Sequence, residues 1–191
     1  MFKPFSIVVM AAFLSLPVQA GADALAQLRA LGPAPEGLSI ELRAVDVQSA
    51  SAAADGVLRP GDRIAFSLSG VENATLFVLN MDAAGAVQMI YPNRFAPRPG
   101  PQPDALALIP AERAAYVLEV SGEPGPEVIK VFALDGDAVA FDALLSKLFD
   151  RTVAFPPAKG GSEDVLQALT RFIADNGAGL RTAILDYRIE R

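Results

Sequence analysis

Alternating apolar and polar side chains predict a series of β-strands in the first two thirds of the chain. Between residues 38 and 47, apolar Ile40 and Leu42 alternate with polar neighbours. A period of two is typical of a strand with one face on a core. Residues 75–81 are apolar on both faces, which predicts a central strand covered on both sides. The predicted strands of this region cover residues 38–47, 64–68, 75–81, 87–91, 115–120 and 127–134.

The apolar period changes after residue 137. Apolar side chains at positions 141, 144, 145, 148 and 149 form one stripe of an amphipathic helix, and residues 162–175 repeat this stripe. Residues 181–191 alternate again and predict a closing strand. The predicted fold is therefore mainly β: an antiparallel β-sandwich, immunoglobulin-like or similar, with two C-terminal amphipathic helices and a final strand. Within the sandwich, Phe66, Leu76, Val78 and Leu118 are expected to be buried.

The N-terminus has the pattern of a cleaved secretory signal. Lys3 precedes an apolar stretch over residues 7–16, and small residues at positions 18 and 20 come before Gly21. An uncleaved membrane anchor is the alternative, but a bilayer span needs roughly 20 apolar residues. We expect a periplasmic or secreted protein, exported as in Gram-negative bacteria, with no membrane span after cleavage. The expected organisation is a signal peptide (1–20), a short helix and linker (21–37), a β-sandwich domain (38–138), and a helical appendage with the closing strand (139–191).

Composition excludes several classes of function. The 191 residues contain no Cys and no His, so disulfides, thiolate chemistry and the usual zinc ligands are excluded. The net charge of −6 argues against nucleic acid as a partner. A hydrophobic fraction of 52% favours a folded protein over a disordered one. We expect neither a metal nor a cofactor.

A proline-rich segment after the fourth predicted strand is the candidate binding site. Residues 91–104 contain prolines that restrict φ and lower the entropy lost on binding. Aromatic and arginine side chains, which are enriched at the energetic centres of interfaces, lie within it. The alternative is structural, with Tyr91 packed in the sandwich and Asn93 capping the turn. The candidate binding residues are Tyr91, Asn93, Arg94, Phe95 and Arg98.

Five short motifs follow one another between residues 58 and 134. They are a Gly-Asp turn into a strand, an Asn-x-Asp-x-x-Gly hairpin, a Tyr-Pro-Asn stop, an Ile-Pro step and a Gly-x-Glu strand. The residues that carry them are Gly61-Asp62, Asn80 with Asp82 and Gly85, Tyr91-Pro92-Asn93, Ile109-Pro110, and Gly125 with Glu127. In this order the motifs resemble a bacterial family called domain of unknown function 4384, and the resemblance implies an accessory module that is often attached to caspase-like peptidase or kinase domains. Neither domain occurs in this sequence, so such a partner would be met in trans.

The sequence contains few arrangements suited to catalysis. No Gly-x-Ser-x-Gly or Ser-x-x-Lys motif occurs, and there is no His to act as a base. Asp62, Glu119 and Glu127 are interpreted as turn and solvent-face residues. Asp82 is expected to bond its own backbone in a hairpin turn rather than to bind calcium, because Ala83, Ala84 and Ala86 occupy the ligand positions.

These observations favour a non-catalytic binding or protein-interaction module of the cell envelope. Two alternatives stay open: an envelope hydrolase that uses paired carboxylates, and a purely structural domain of an assembly. An enzyme is the less favoured reading, because the usual bases and nucleophiles are missing. The expected partner is an envelope protein, and the resemblance implies a protein of peptidase or kinase type, met in trans.

Overall fold

The computed structural model describes residues 16–33, 37–45, 55–97 and 100–191. Within these ranges, helix α1 precedes eight strands, two helices follow, and a ninth strand comes last. The helices are α1 (Leu16–Ala30), α2 (Val139–Leu148) and α3 (Ser162–Asn176). The strands are β1 (Ser39–Ala44), β2 (Val57–Leu58), β3 (Arg63–Ser69), β4 (Ala74–Met81), β5 (Val87–Tyr91), β6 (Leu106–Ile109), β7 (Leu118–Glu119), β8 (Gly125–Asp135) and β9 (Leu180–Ile189).

The strands form two sheets that pack face to face, which confirms the predicted sandwich. The front sheet contains β1, β3 and β6 in that order, with the short β7 also paired to β3. The central sheet has the order β2-β9-β8-β4-β5. Among the described pairs, β2 runs parallel to β9, and the others are antiparallel.

Both faces of the central sheet are covered. Along β8, Ile129 and Val131 pack into the core shared with the front sheet, whereas Val128 and Phe132 pack into a second core beneath the helices. The alternation of side chains along a strand explains this division. Every residue of β4 is buried, in agreement with the prediction of a central strand. The molecule therefore has three layers, with the central sheet in the middle.

The C-terminal helices pack on the central sheet as the third layer. The ring of Phe141 in α2 lies 5.0 Å from that of Phe77 in β4 and 5.0 Å from that of Phe172 in α3. Leu25 and Leu28 of α1 join the same core. The apolar stripes predicted from the sequence are thus turned inward. Among the described residues, none of the helices combines the length and apolar character that a membrane span requires.

The structure changes the limits of some predicted strands. The segment 115–120 pairs only at Leu118–Glu119, because most of the same edge of β3 is taken by β6. Strand β6 itself was not predicted, since it is four residues long and follows a proline-rich segment. The four residues expected in the core, Phe66, Leu76, Val78 and Leu118, are buried.

Candidate functional site

Asn93 builds the turn at the start of the candidate binding segment. Its side chain is fully buried. The side-chain amide donates to the Ile90 carbonyl at 2.8 Å, and Oδ1 accepts from the backbone N–H of Phe95 at 2.8 Å and of Ala96 at 3.1 Å. The geometry of Asn93 is therefore that of the structural alternative, in which its side chain caps the turn. Its contribution to binding would be to hold the residues that follow in place.

Phe95 projects from this turn and rests on two other aromatic rings. Its ring stacks on Tyr116 at 5.3 Å and lies 6.5 Å from Phe155, and the last two rings are 5.7 Å apart. We call Phe95, Tyr116 and Phe155 the aromatic cluster. Phe95 is 49% exposed, and the neighbouring Arg94 is exposed as well. The sequence alone did not indicate Tyr116 and Phe155 as site residues. Tyr116 lies in the predicted strand 115–120, Phe155 lies between the two predicted helices, and both are far from Phe95 along the chain.

A cleft of about 340 Å³ adjoins the aromatic cluster. Tyr91, Tyr116 and Arg113 line it together with Ile109 and its neighbours. Burial raises the pKa of Tyr91 and of Tyr116, so both hydroxyls are neutral at physiological pH. Tyr91, Phe95 and Tyr116 thus line the same cleft, and Asn93 holds the turn that carries Phe95. Arg98 lies outside the described residues.

A larger cleft of about 510 Å³ opens at one end of the sandwich, between the two sheets. We call it the sheet cleft. Its walls include Phe66, Ile90 and Ile129 from the core between the sheets, and the β4–β5 turn and the β7–β8 loop form its rim. Asn80, Glu127 and Tyr187 are the polar side chains at its inner end.

Glu127 is held inside the sheet cleft by two donors. Oε2 accepts from the Asn80 side-chain amide at 2.8 Å and from the Tyr187 hydroxyl at 2.5 Å. Glu127 is only 4% exposed, so its prediction as a solvent-face residue was wrong. The residue faces inward because positions 127, 129 and 131 share the face of β8 that looks toward the front sheet. By contrast, Asp62 bonds the Arg59 N–H in its turn and Glu119 is exposed, as predicted.

Burial dominates the electrostatics of this group. Desolvation raises the pKa of Glu127, the charge of Asp82 adds to the rise, and the hydrogen bonds from Tyr187 and Asn80 oppose it. Burial also raises the pKa of Tyr187, and the adjacent Glu127 carboxylate raises it further. Tyr187 therefore stays protonated and donates to Glu127.

Asp82 closes the turn between β4 and β5, as predicted. Its Oδ1 accepts from the N–H groups of Ala84 and Ala86 at 2.9 and 2.8 Å. Gly85 has a φ of +85°, which favours glycine at this position. In the part of the chain that the structure describes, no three Asp, Glu, His or Cys side chains are grouped as metal ligands.

Residues 57–135 match the family model described as Domain of unknown function (DUF4384). The match runs from β2 to the end of β8 and confirms the resemblance over this segment. Asn80 and Glu127, which belong to two separate motifs of the resemblance, are thus joined by a hydrogen bond. The search of curated proteins gave no match. The search of solved structures gave none either.

Proposed function

We propose that this protein is a non-catalytic binding or protein-interaction module that is exported to the periplasm or secreted. The observation that carries the proposal is the half-exposed ring of Phe95, which is stacked on Tyr116 above a cleft. An exposed aromatic side chain with a fixed orientation loses little entropy on binding. Such residues are typical energetic centres of protein interfaces.

The surroundings of Phe95 favour a partner surface that is apolar with acidic groups. Arg94 is exposed beside the ring, and Arg113 lines the adjoining cleft. A guanidinium pairs with carboxylates through two parallel hydrogen bonds, which adds orientation to the apolar contact. The turn held by the Asn93 side chain fixes the spacing between Arg94 and the rest of the surface.

The N-terminal sequence supports the proposed location. Residues 1–20 have the pattern of a secretory signal, so we expect the partner to be an envelope protein. The resemblance to domain of unknown function 4384 adds a peptidase- or kinase-type protein, met in trans, as the class of partner to examine first.

Crosslinking in cells tests the proposal. A tagged chain is crosslinked in the native host, and the retained envelope proteins of the wild type are compared with those of an Arg94→Ala/Phe95→Ala variant. The matched control is Arg171→Ala/Val139→Ala, which removes an exposed arginine and an exposed apolar side chain from the helical layer.

We expect the first variant to lose a partner that the wild type and the control retain, with the melting temperature nearly unchanged in both. Equal retention by all three proteins would show that the Phe95 surface is only a connection between strands. Unfolding of the Phe95 variant would show that the ring is needed for the fold, through its contacts with Tyr116 and Phe155, and would contradict its role as a free binding surface.

Hydrolysis by paired carboxylates is a second candidate, favoured by one observation in the sheet cleft. Glu127 is buried and its pKa is raised, as in a general acid, and Asp82 lines the same cleft. The two donors on Oε2 stabilise the ionised carboxylate, however, and this opposes the role of an acid. Release of reducing ends from envelope polysaccharides by the wild type and not by Glu127→Gln would establish this activity.

A further inference from the structure

The sheet cleft has apolar walls and one buried carboxylate at its inner end. Phe66, Ile90 and Ile129 line the walls, and Glu127 lies deepest among the carboxylates. A pocket with apolar walls and a few fixed polar groups, here Asn80, Glu127 and Tyr187, is the usual form of a small-ligand site. Its residues are different from those that line the cleft beside Phe95.

One oxygen of Glu127 is left for a ligand. Both described donors, Asn80 and Tyr187, bond Oε2, and Oε1 has no hydrogen-bond donor among the residues that the structure describes. Oε1 points to the side of the cleft lined by Gly122, where an added Cβ would lie 3.7 Å from this oxygen. Oε1 is not one of the described side-chain atoms that are both fully enclosed and without a partner, so it is open to the cleft and a donor that enters the cleft can reach it.

The charges around the cleft favour a cation. Its described lining includes four carboxylates, those of Asp82, Glu119, Glu123 and Glu127, and no Lys or Arg. Glu119 lies 3.6 Å from Arg63, and Glu123 lies 3.3 Å from Arg191, so these two exposed rim carboxylates are partly neutralised. Asp82 uses Oδ1 for the N–H groups of Ala84 and Ala86 in its turn. Glu127 forms no ion pair with any residue that the structure describes, so it is the buried charge that a ligand would meet.

The number of free oxygens distinguishes between the two common cationic groups. A guanidinium binds best to two carboxylate oxygens at once, and here Oε2 is already occupied. An ammonium is a compact charge that a single oxygen can accept. An aliphatic stem would then lie along the apolar walls, as lysine stems do elsewhere.

We propose that the sheet cleft binds a primary ammonium group on an aliphatic stem, with Glu127 Oε1 as its charge partner. The site is independent of the Phe95 surface. The ligand is either a lysine side chain of a protein or a free alkylamine, which share this chemistry. A bound ammonium would also offset the desolvation that raises the pKa of Glu127.

Calorimetric titration with matched ligands tests this site. One arm compares n-pentylamine with n-pentanol, and the other compares the Nα-acetyl methylamides of lysine and norleucine. We expect an amine to bind and its uncharged counterpart to bind at least about tenfold more weakly, as for a charge-assisted hydrogen bond. Binding of the free amine alone would assign a small-molecule ligand, and binding of the lysine derivative alone would assign a protein side chain.

Variants of the cleft identify the charge that binds. Glu127→Gln keeps an oxygen for Asn80 and Tyr187 and is expected to lose at least about tenfold in affinity for the amine. Glu123→Gln, on the exposed rim, is the matched control and should change the affinity less than about twofold. If Glu127→Gln is unfolded, Ser121→Trp at the cleft mouth replaces it and should abolish binding while Glu127 is intact.

Absence of binding by both amines at millimolar concentration would overturn the proposal, as would equal binding of the uncharged counterparts or an unchanged affinity in Glu127→Gln. The Arg94→Ala/Phe95→Ala variant should bind the amine as the wild type does. Failure of this site and failure of the Phe95 surface are therefore separate results.

Discussion

Asn80 and Glu127 lie 47 positions apart in the chain and are joined by a 2.8 Å hydrogen bond inside the sheet cleft. The bond links β4 to β8, which are neighbours in the central sheet. Tyr187 of β9 donates to the same oxygen of Glu127, so three adjacent strands meet at one carboxylate.

Glu127 makes stability depend on pH in a predictable direction. Its pKa in the folded protein is raised above the ordinary value of 4.5. Below the ordinary value the carboxyl is protonated in both the folded and the unfolded chain. As the pH rises through the folded pKa, the folded protein must hold a buried charge, and the free energy of unfolding falls.

We therefore expect Glu127→Gln to gain stability relative to the wild type as the pH rises from about 4 to 7. Urea denaturation across this range measures the difference. Glu123→Gln is the control, because its carboxylate is exposed and its substitution should leave the pH profile unchanged. A constant difference between wild type and Glu127→Gln would mean that the pKa of Glu127 is ordinary.

Lys130 is a buried cation beneath α1. Its effect on stability depends on pH in the opposite direction to that of Glu127. Its Nζ donates to the Arg29 carbonyl at 3.4 Å, and desolvation lowers its pKa from 10.5 to about 8. Above pH 10.5 the amine is neutral in both the folded and the unfolded chain, so the folded protein holds no buried charge at this position. As the pH falls through the folded pKa, the buried amine becomes charged and the free energy of unfolding falls.

Lys130→Met should accordingly be more stable than the wild type at neutral pH, by an amount on the order of 3 kcal/mol at most. The lost hydrogen bond to Arg29 reduces this gain by about 1 kcal/mol. The difference should shrink between pH 8 and 10.5, as followed by urea denaturation. Lys147→Met, at an exposed position of α2, is the control; a similar shift in both variants would refute the assignment to burial.

Phe66 tests the core between the two sheets. It is 1% exposed, and its partners across the front sheet are Leu42 and Ile109. Phe66→Ala should lower the free energy of unfolding by about 3–5 kcal/mol, because a cavity remains in place of the ring. Leu106→Ala, at a position 61% exposed, should change it by less than about 0.5 kcal/mol. Equal effects of the two substitutions would contradict the packing described above.

Gly21 tests the export of the chain. The signal pattern predicts a mature protein that begins at this residue, within α1, where a Cβ would lie 2.5 Å from the Ala83 carbonyl oxygen. Because the predicted cleavage position is helical and packed in the folded protein, we expect processing to precede the docking of α1. Sequencing the N-terminus of protein from the envelope checks this, and a chain that still begins at Met1 would refute it.

The local sequence determined those elements in which side-chain periodicity and turn residues agree. The predicted limits of 75–81 and 87–91 match β4 and β5 closely, since both strands are apolar and the Asp82 turn joins them directly. The stripes of α2 and α3 are likewise visible in the sequence, although α2 ends at Leu148 and Phe149, the last member of its predicted stripe, is extended. Periodicity is a local property, so no knowledge of distant contacts was needed.

The tertiary structure alone decided which polar residues became a site. Positions 80, 127 and 187 meet because the register of β4, β8 and β9 brings them to one end of one face. The rings of Tyr116 and Phe155 meet Phe95 in the same way, from segments far apart in the chain. A strand covered on both faces has no polar side to reveal which way Glu127 or Lys130 points, and only the pairing register and the layers packed on each face settle that direction.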